Sequence, residues 1–295
     1  MVLCIGTWIK AVDTSRMFSE EARQQFEERG YVVARGLFSS DETKAFIDHY
    51  MAMRDRGGDG WAEGGVDPSS EEPLKRYPRL MQPHRGDAIS LRYMIDPRIN
   101  EWLTGLLGLE PYAVQTMVYY KPAGARGQAL HQDQRYLNVN PGTCIAAWLA
   151  LDDCDVENGC LDVVPGSQWL PMLCPIKANT ADSFTGETVP IPPGMTPESV
   201  PMKAGDVVFF NGSLIHGSPP NRSSDRFRRI LVGHYIVGEA KEVSRHYFPV
   251  YGMDGTIVEC IQPTQGGGSC GTYVTQDGET VLAMNSTIEE ALAAH

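Results

Sequence analysis

Hydrophobic residues recur with a helical period in several stretches of the first part of the chain. In SEEARQQFEERG, Ala22 and Phe26 lie one helical turn apart between Ser19 and Gly30. A serine before the first turn, a glycine after the last and apolar residues on one face predict a short amphipathic helix. The run YVVARGLF, which is rich in strand-forming residues, follows it.

Two more helices are predicted before the pattern changes. Ser39 and Glu42 have the spacing of a capping box, and Phe46, Tyr50 and Met53 then fall on one helical face. A later helix, which a glycine ends, is predicted from the apolar face Ile99, Trp102, Leu103 and Leu106.

From about residue 110 the apolar positions no longer follow a helical period. Short runs rich in β-branched and aromatic residues alternate there with Gly, Pro, Asn and Asp. These runs are AVQTMVYYK, TCIAAWLALDD, CLDVVPG, DVVFFNG and RRILVGHYIVG. The pattern is typical of a barrel or sandwich, and we expect an all-β core with flanking helices, arranged as a jelly roll.

The chain is expected to form a single domain, since a β-rich domain commonly reaches this length. An insertion rich in Pro and Thr interrupts the strands and is a candidate substrate lid. A second irregular stretch, rich in Gly, Pro and charge, predicts a surface excursion. Over residues 1–295 the parts are a helix-strand-helix preface (18–56), the excursion (54–88), the β core (about 110–238), the insertion (171–200) and a C-terminal extension (240–295) with a helix predicted from Ser286.

Composition supports a packed protein, and charge narrows its partners. Hydrophobic residues make up 42% and charged residues 21% of the chain, near the globular averages. The net charge of −12 makes nucleic acid and anionic membrane surfaces unexpected partners. The opening MVLCIGTWIK lacks the order of a secretory signal, and no later segment has the apolar length to span a bilayer. We expect a cytoplasmic protein with a small-molecule substrate, and homo-oligomer formation stays open.

The cysteines carry no local pairing signal. Their number is odd and no C-x-x-C pair occurs, so neither a disulfide framework nor a zinc ribbon is indicated. We expect reduced, mostly structural thiols at Cys4, Cys144, Cys154, Cys160, Cys174, Cys260 and Cys270.

Two histidines and an aspartate have the composition of an iron site. His131 and Asp133 in ALHQDQRY are two positions apart, so on a strand both face one side while Gln132 faces the other. His216 ends the strand-like run DVVFFNGSLIHGS far downstream. Two imidazoles and one carboxylate suit Fe(II) and leave three adjacent positions open, two for 2-oxoglutarate and one for dioxygen. One H-x-D is weak evidence alone, because an ordinary strand histidine explains it equally well.

A nearby arginine strengthens the iron hypothesis. Arg228 follows His216 in HGSPPNRSSDRFRR, and a planar guanidinium can pair with the distal carboxylate of 2-oxoglutarate through two hydrogen bonds. Arg226 has the same strand parity, so both arginines stay open, although the spacing favours Arg228. His234 shares this parity, and we expect it to pack or form a hydrogen bond near the pocket rather than bind metal.

The motifs LHQDQRY, ENGCLDVVPGSQ and AGDVVFFNGSLIHGSPPNRSSDRFRR together resemble the phytanoyl-CoA dioxygenase family, from about Gly30 to Tyr235. The resemblance implies a cupin-like double-stranded β-helix, a jelly roll. It also implies that iron is held at the positions of His131, Asp133 and His216.

The same resemblance implies a 2-oxoglutarate site. The family's carboxylate-binding arginine falls on Arg228, with Ser218 beside it. Met117 and Trp148 match positions that line the 2-oxoglutarate pocket. A basic residue that touches the co-substrate in some relatives has no clear counterpart, since the alignment falls on Leu80.

The substrate contacts are less specific. The strand tyrosines are more often core or cross-strand pairs, and a basic loop patch is more often a solvated surface whose charges pair with one another. The patch comprises Lys75, Arg76, Arg79, His84 and Arg85. The candidate substrate contacts are Arg79, His84, Tyr119, Gln128 and Tyr136.

Together these observations predict an Fe(II)- and 2-oxoglutarate-dependent dioxygenase. Asp133 favours hydroxylation or another oxidation, since halogenating relatives lose this carboxylate so that chloride can bind iron. The expected substrate is a small organic metabolite, free or carrier-linked, oxidised at an unactivated C–H with release of succinate and CO2. Desaturation, epoxidation and ring formation stay open. The alternatives are a metal-binding cupin-like barrel without oxygenase activity, either a binding protein or a redox-neutral enzyme, and a catalytically silent interaction module.

Overall fold

Short helices precede and flank a β-rich core. The structure is a computed structural model that describes residues 17–265, 268–276 and 279–285. Its α-helices are α1 (Glu20–Arg29), α2 (Ser40–Arg56), α3 (Pro73–Arg76), α4 (Ala88–Met94), α5 (Pro97–Leu107) and α6 (Gln134–Leu137). Its strands are β1 (Tyr31–Ala34), β2 (Leu80–Met81), β3 (Tyr112–Lys121), β4 (Gln128–His131), β5 (Cys144–Ala150), β6 (Leu161–Val163), β7 (Ile176–Lys177), β8 (Glu187–Thr188), β9 (Glu198–Val200), β10 (Val207–Asn211), β11 (His216–Ser218), β12 (Arg228–Ile236), β13 (Glu242–Ser244), β14 (Tyr251–Gly252), β15 (Gln262–Thr264), β16 (Cys270–Gln276) and β17 (Glu279–Asn285).

The helix ends follow the sequence signals. Ser19 accepts a hydrogen bond from the backbone N–H of Ala22 at the start of α1, and Ser39 and Glu42 form the capping box of α2. Gly30 ends α1 with φ of 80°, the left-handed conformation that glycine adopts without strain. The three predicted amphipathic helices, α1, α2 and α5, are confirmed.

Two sheets form the core. The larger has the order β1-β10-β5-β12-β3-β14, with β2 also paired to β3, and the smaller has the order β4-β11-β6-β9. In the larger sheet β12 pairs antiparallel with both β3 and β5. The predicted all-β core with flanking helices, in a jelly-roll arrangement, is confirmed.

Alternation along β5 separates the two faces of the larger sheet. Ala147 and Leu149 pack in the cluster that contains Leu103 of α5, whereas Ala146 and Trp148 pack in the cluster shared with the smaller sheet. Burial of a fully enclosed leucine such as Leu149 contributes about 2 kcal/mol. Because helices cover one face and the smaller sheet covers the other, the inner face can hold an enclosed cavity.

The insertion at 171–200 packs beside the smaller sheet. β7 and β8 pair with each other, and β9 pairs with β6. The backbone N–H of Val189 donates to the carbonyl of Leu130 at 2.8 Å, and the N–H of Ala129 donates to Ser183 Oγ at 2.9 Å. The insertion therefore borders β4, the strand that carries His131. Its role as a substrate lid stays a prediction.

One disulfide crosses the fold. Cys174 in the insertion is bonded to Cys270 at the start of β16, with Cα atoms 4.9 Å apart. The expectation that the cysteines are all reduced is therefore wrong for this pair. Its members are 96 residues apart, so no local spacing could reveal them. Cys144, Cys154 and Cys160 are buried free thiols, as expected of structural cysteines.

The excursion at 54–88 lies partly on the core rather than on the surface. β2 pairs with β3, and Leu80 is buried. His84 is also buried, and its Nδ1 lies 2.8 Å from Thr116 Oγ1. The prediction of a surface excursion is wrong for these residues, because a two-residue strand leaves no periodicity in the sequence.

Two predictions fall on positions that the structure does not describe, the helix from Ser286 and the thiol of Cys4. Within the described ranges, none of the helices combines the length and the apolar composition needed to cross a bilayer.

Candidate metal centre

Three side chains with metal-binding groups converge where β4 and β11 meet. His131 ends β4 and lies directly opposite His216, the first residue of β11. The ligand atoms of these histidines and of Asp133 all lie within 4.8 Å of one another. Asp133 Oδ1 is 3.4 Å from His131 Nε2, and Asp133 Oδ2 is 3.5 Å from His216 Nε2. The structure thus brings together the three residues singled out in the sequence.

The backbone brings Asp133 to this point by a turn. β4 ends at His131, and Asp133 has right-handed helical backbone angles at the start of α6. The strand alternation used to predict that both side chains share a face is therefore wrong for Asp133. Gln132 does point away: its side chain donates to the carbonyl of Ser213 and accepts from the N–H of Leu173. These bonds anchor the turn between the two ligand residues.

Backbone carbonyls set the tautomers of both histidines. His131 Nδ1 lies 2.9 Å from the carbonyl oxygen of Ala129, and His216 Nδ1 lies 2.9 Å from that of Leu214. Because a carbonyl oxygen only accepts, each Nδ1 carries a proton, which leaves Nε2 as the nitrogen that can present a lone pair to a metal. This is the ligand form of a neutral imidazole.

Electrostatics keeps the site in a metal-binding protonation state. Burial alone would raise the pKa of Asp133, but the imidazoles of His216, His234 and His131 outweigh it and hold the pKa well below its usual value. Burial, and then the neighbouring His131, lower the pKa of His216 to about 4. At neutral pH the site offers an ionised carboxylate and an uncharged His216.

The donor set fits one metal in particular. Two imidazole nitrogens and one carboxylate, with no thiolate, form the arrangement that non-haem Fe(II) oxygenases use, in which further positions remain for exogenous ligands. His131, Asp133 and His216 all line one cavity, whose empty space is about 420 Å³ when the part open to solvent is included. A metal held by them would therefore face space rather than packed side chains.

His234 forms a hydrogen bond with the carboxylate of Asp133. Its Nε2 lies 3.0 Å from Asp133 Oδ2, and since an ionised carboxylate only accepts, Nε2 donates. The expected hydrogen bond near the pocket is confirmed. His234 Nδ1 is buried and has no hydrogen-bond partner in the described part of the chain.

A buried guanidinium faces the same cavity. Arg228 is 2% exposed, its Nη2 donates to Ser218 Oγ at 3.3 Å, and its guanidinium lies 5.4 Å from the ring centroid of Trp148. Arg226 instead forms ion pairs with Asp155 and Glu157 away from the cavity. Of the two arginines that the sequence left open, Arg228 is the one that faces the metal-binding side chains.

The residues predicted around 2-oxoglutarate line the cavity together. Met117, Trp148, Ser218 and Arg228 contribute to its wall. Two of the five candidate substrate contacts, Tyr119 and Gln128, also line it. Gln128 Nε2 lies 3.1 Å from His131 Nε2, so this amide donates to the lone pair that a metal would take.

Three other candidate substrate contacts do not line this cavity. Arg79 lines a neighbouring cavity, where its guanidinium is 4.6 Å from the ring centroid of Phe184, and pairs with Glu63 at 3.2 Å. His84 is buried against Thr116, and Tyr136 is 45% exposed. The basic patch therefore does not form one surface, because Arg79 contacts Phe184 and Glu63 whereas His84 contacts Thr116.

Sequence reasoning did not single out Lys121 or Phe184. Phe184 gave no signal, since nothing in the insertion indicates which residues face inward. Lys121 did give one: it has the parity of Met117 and Tyr119 on one strand, so all three share a face. A lysine at the inward end of an apolar strand is unusual enough to mark a site.

Comparison with known proteins shows which sequences this chain resembles. The sequence model of the family "Phytanoyl-CoA dioxygenase (PhyH)" matches residues 26–230. A curated protein from Rattus norvegicus, "Phytanoyl-CoA dioxygenase, peroxisomal", is 27% identical over 247 residues, which are 78% of this chain and 72% of the rat protein.

Solved structures share the fold. The non-heme alpha ketoglutarate dependent carbocyclase SnoK from nogalamycin biosynthesis superposes with a TM-score of 0.61 at 24% identity, covering 77% of this chain and 87% of that one. EctD from S. alaskensis, solved with 2-oxoglutarate and 5-hydroxyectoine, superposes with a TM-score of 0.58 at 22% identity, covering 75% and 76%. At these identities the likeness concerns the fold.

Proposed function

The chain belongs to the phytanoyl-CoA dioxygenase family, and from this premise we propose that it is an Fe(II)- and 2-oxoglutarate-dependent dioxygenase that hydroxylates an unactivated C–H bond of a small organic metabolite. The family resemblance inferred from the motifs is confirmed. The observation that carries the proposal is a single cavity lined both by the three ligand side chains and by the buried Arg228 and Ser218.

His131, Asp133 and His216 would hold the iron. The hydrogen bonds at Nδ1 leave both Nε2 atoms to a metal, and the low pKa of Asp133 keeps its carboxylate ionised. The Gln128 amide, which donates to His131 Nε2, must turn away when a metal binds. It then becomes free to hydrogen-bond a group in the cavity.

Arg228 and Ser218 would bind the distal carboxylate of 2-oxoglutarate. A buried guanidinium forms strong, directional hydrogen bonds to a carboxylate, and the Ser218 hydroxyl adds another. Trp148 fixes the guanidinium by stacking, while Met117 and Phe210 provide apolar wall that excludes water.

When bound, iron and 2-oxoglutarate would supply the oxidising chemistry: 2-oxoglutarate is converted to succinate and CO2, one oxygen atom of dioxygen enters the succinate, and the other enters the substrate C–H bond to give a hydroxyl group. The protein positions the substrate carbon and excludes water. The fold also occurs in enzymes described as a carbocyclase and an epimerase, so substrate placement decides the outcome. The presence of Asp133 supports transfer of oxygen to the substrate, because halogenating relatives lack this carboxylate.

The walls near the metal site favour a small organic substrate. Tyr119 lines both the metal-site cavity and a neighbouring one, where Arg79 and Phe184 lie. The neighbouring cavity combines an aromatic ring with a guanidinium, which suits a substrate with an apolar body and one polar group. We propose a cytoplasmic location, although the rat relative is described as peroxisomal, and imaging of the tagged protein tests this.

The test is succinate formation from 2-oxoglutarate in the presence of Fe(II), with and without a metabolite panel. Wild type should form succinate and a hydroxylated product in equal amounts with its substrate, and Asp133→Ala should form neither. Asp48→Ala, an exposed position on α2, is the matched control and should behave like wild type.

Two results would count against the proposal. Equal turnover by wild type and Asp133→Ala would remove the metal centre from the reaction. Tight Fe(II) binding by wild type without any 2-oxoglutarate consumption, across the panel, would favour a metal-binding barrel that has no oxygenase activity.

A further inference from the structure

Two buried positive side chains stand directly opposite each other beside the cavity. Lys121 ends β3 and is the cross-strand partner of Arg228, the first residue of β12. They are 3% and 2% exposed. Like charges directly opposite on neighbouring strands are destabilising, and burial increases the penalty. Among the described residues, neither forms an ion pair with a carboxylate, so this arrangement calls for an anion that the protein itself does not supply.

The two cations share their hydrogen-bond acceptors. Lys121 Nζ donates to the carbonyls of Gly159 at 3.2 Å and Pro219 at 2.6 Å, and to Ser218 Oγ at 2.8 Å. Arg228 donates to the same Gly159 carbonyl at 3.2 Å and to the same Ser218 Oγ at 3.3 Å. The ammonium group thus joins the end of β3 to the segments before β6 and after β11.

This sharing directs the hydroxyl proton of Ser218. An oxygen that accepts from both Lys121 and Arg228 uses its two lone pairs, so its own O–H must donate elsewhere. Ser218 and Arg228 line both the metal-site cavity and the neighbouring one, whereas Lys121 lines only the neighbouring one. Lys121 therefore acts on the metal-site cavity through Ser218.

Gly159 leaves the space that this cluster needs. Its φ is 76°, and a Cβ at this position would lie 2.4 Å from the carbonyl oxygen of Pro219 and 3.0 Å from Lys121 Nζ. A side chain there would displace the ammonium from its acceptors. The missing side chain at Gly159 therefore leaves room for the Lys121 ammonium group.

Building on the proposed function, we propose that Lys121 is a positioning residue for 2-oxoglutarate: it turns the Ser218 hydroxyl towards the distal carboxylate and adds the positive charge that makes the site select a dianionic 2-oxo acid. A 2-oxo acid without a distal carboxylate has no group that the charge of Lys121 or the Ser218 hydroxyl could stabilise. Selection between the two kinds of co-substrate is therefore the property that Lys121 controls.

The electrostatic surroundings of Lys121 support a test by pH. Burial, and then the Arg228 guanidinium, lower the pKa of Lys121 well below its usual value. Burial raises the pKa of Cys154 to about 12 and that of Cys160 to about 11, so both stay neutral near pH 8. The other charged or titratable groups that face it or line the adjoining cavity are Asp162, Glu63, Arg79, Arg126, Tyr119 and Tyr120. Lys121 is thus the cation of the cluster that loses its charge first as pH rises.

The experiment measures binding to the anaerobic Fe(II)-loaded protein by calorimetry, with 2-oxoglutarate and 2-oxobutyrate as probes. Lys121→Met should bind 2-oxoglutarate about 10- to 100-fold more weakly, because a charge-assisted interaction is lost, and should bind 2-oxobutyrate and Fe(II) as wild type does. Lys203→Met removes an exposed lysine that pairs with Asp153 and should change neither affinity.

In a Ser218→Ala background the Lys121→Met change should have a smaller effect on 2-oxoglutarate, because Lys121 acts partly through that hydroxyl. Unchanged 2-oxoglutarate affinity in Lys121→Met, or an equal loss for both 2-oxo acids, would overturn the role of Lys121. Failure of wild type to bind 2-oxoglutarate while Fe(II) binds would instead overturn the proposed function and, with it, this inference.

If Lys121→Met does not fold, wild type alone still decides. As the pH rises and Lys121 loses its charge, the affinity for 2-oxoglutarate should fall relative to that for 2-oxobutyrate, since only the dianion interacts with this charge. A ratio that stays constant over the whole pH range in which the protein is folded would rule out the proposed role.

Discussion

His234 Nε2 donates to Asp133 Oδ2 across 3.0 Å, which ties the metal-binding turn after β4 to β12. Both side chains are buried, and the other oxygen of Asp133 faces His131. Since Asp133 lies just beyond the strand, this hydrogen bond rather than the sheet sets the direction of its carboxylate.

Loss of His234 should weaken metal binding. In His234→Leu the carboxylate loses its outer partner, and we expect Fe(II) affinity to fall about 10- to 100-fold. Titration of the apoprotein with Fe(II) under anaerobic conditions measures this. His246→Leu alters an exposed histidine and serves as control. An unchanged Fe(II) affinity in His234→Leu would show that the turn holds Asp133 without this bond.

Arg228 and Arg226 should respond differently to the same substitution. Arg228→Lys keeps the charge but loses the planar fork and the stacking on Trp148, so 2-oxoglutarate should bind about 10- to 100-fold more weakly. Arg226→Lys keeps a surface ion pair with Asp155 and should bind 2-oxoglutarate with the affinity of wild type. Calorimetry on the metal-loaded proteins compares the two. The reverse order of effects would assign the carboxylate clamp to Arg226.

Glu42 should contribute to stability only above acidic pH. Burial acts to raise its pKa, but Arg98 and the capping contacts of Ser39 outweigh this and lower the pKa to about 2, against an ordinary value of 4.5. A folded-state pKa below the unfolded value means that the stabilisation is fully present above pH 4.5 and is lost as the pH falls towards 2.

Glu42→Gln should therefore lower the free energy of unfolding near neutral pH by about 1 kcal/mol, an amount reduced by the partial exposure of the pair. The difference from wild type should shrink between about pH 4.5 and about pH 2 in thermal unfolding measured against pH. Glu27→Gln, at an exposed position on α1, should show no such trend. A difference that is independent of pH would mean that the carboxylate charge does not matter.

Removal of the Cys174–Cys270 bond should destabilise the fold. The bond closes a long loop between the insertion and the C-terminal hairpin, and Cys174→Ser should lower the free energy of unfolding by about 2–4 kcal/mol. Chemical unfolding measures the change. Reduction of wild type should reproduce it and should not affect Cys174→Ser further. Cys260→Ser removes an exposed free thiol and is the control. Equal stability of wild type with and without reductant would contradict the prediction.

Local interactions explain what could be predicted from sequence. The capping residues Ser19 and Ser39 act within one helical turn, and strand runs such as that of β12 are short and rich in β-branched and aromatic residues, so helices, strands and the jelly-roll core were recognisable. His131, Asp133, His216 and Arg228 were recognisable because their chemistry is unusual in such strands and because the motifs resemble one family.

The sequence by itself determined the main helices and strands, the core pattern and the residues able to bind a metal, since these depend on side-chain chemistry and on contacts between near neighbours. The tertiary structure decided what depends on distant segments: the pairing of Cys174 with Cys270, the position of Arg228 rather than Arg226 at the metal-site cavity, and the register that sets Lys121 opposite Arg228. Strand register and chain reversal are collective results of packing over the whole fold, and no short stretch of sequence contains them.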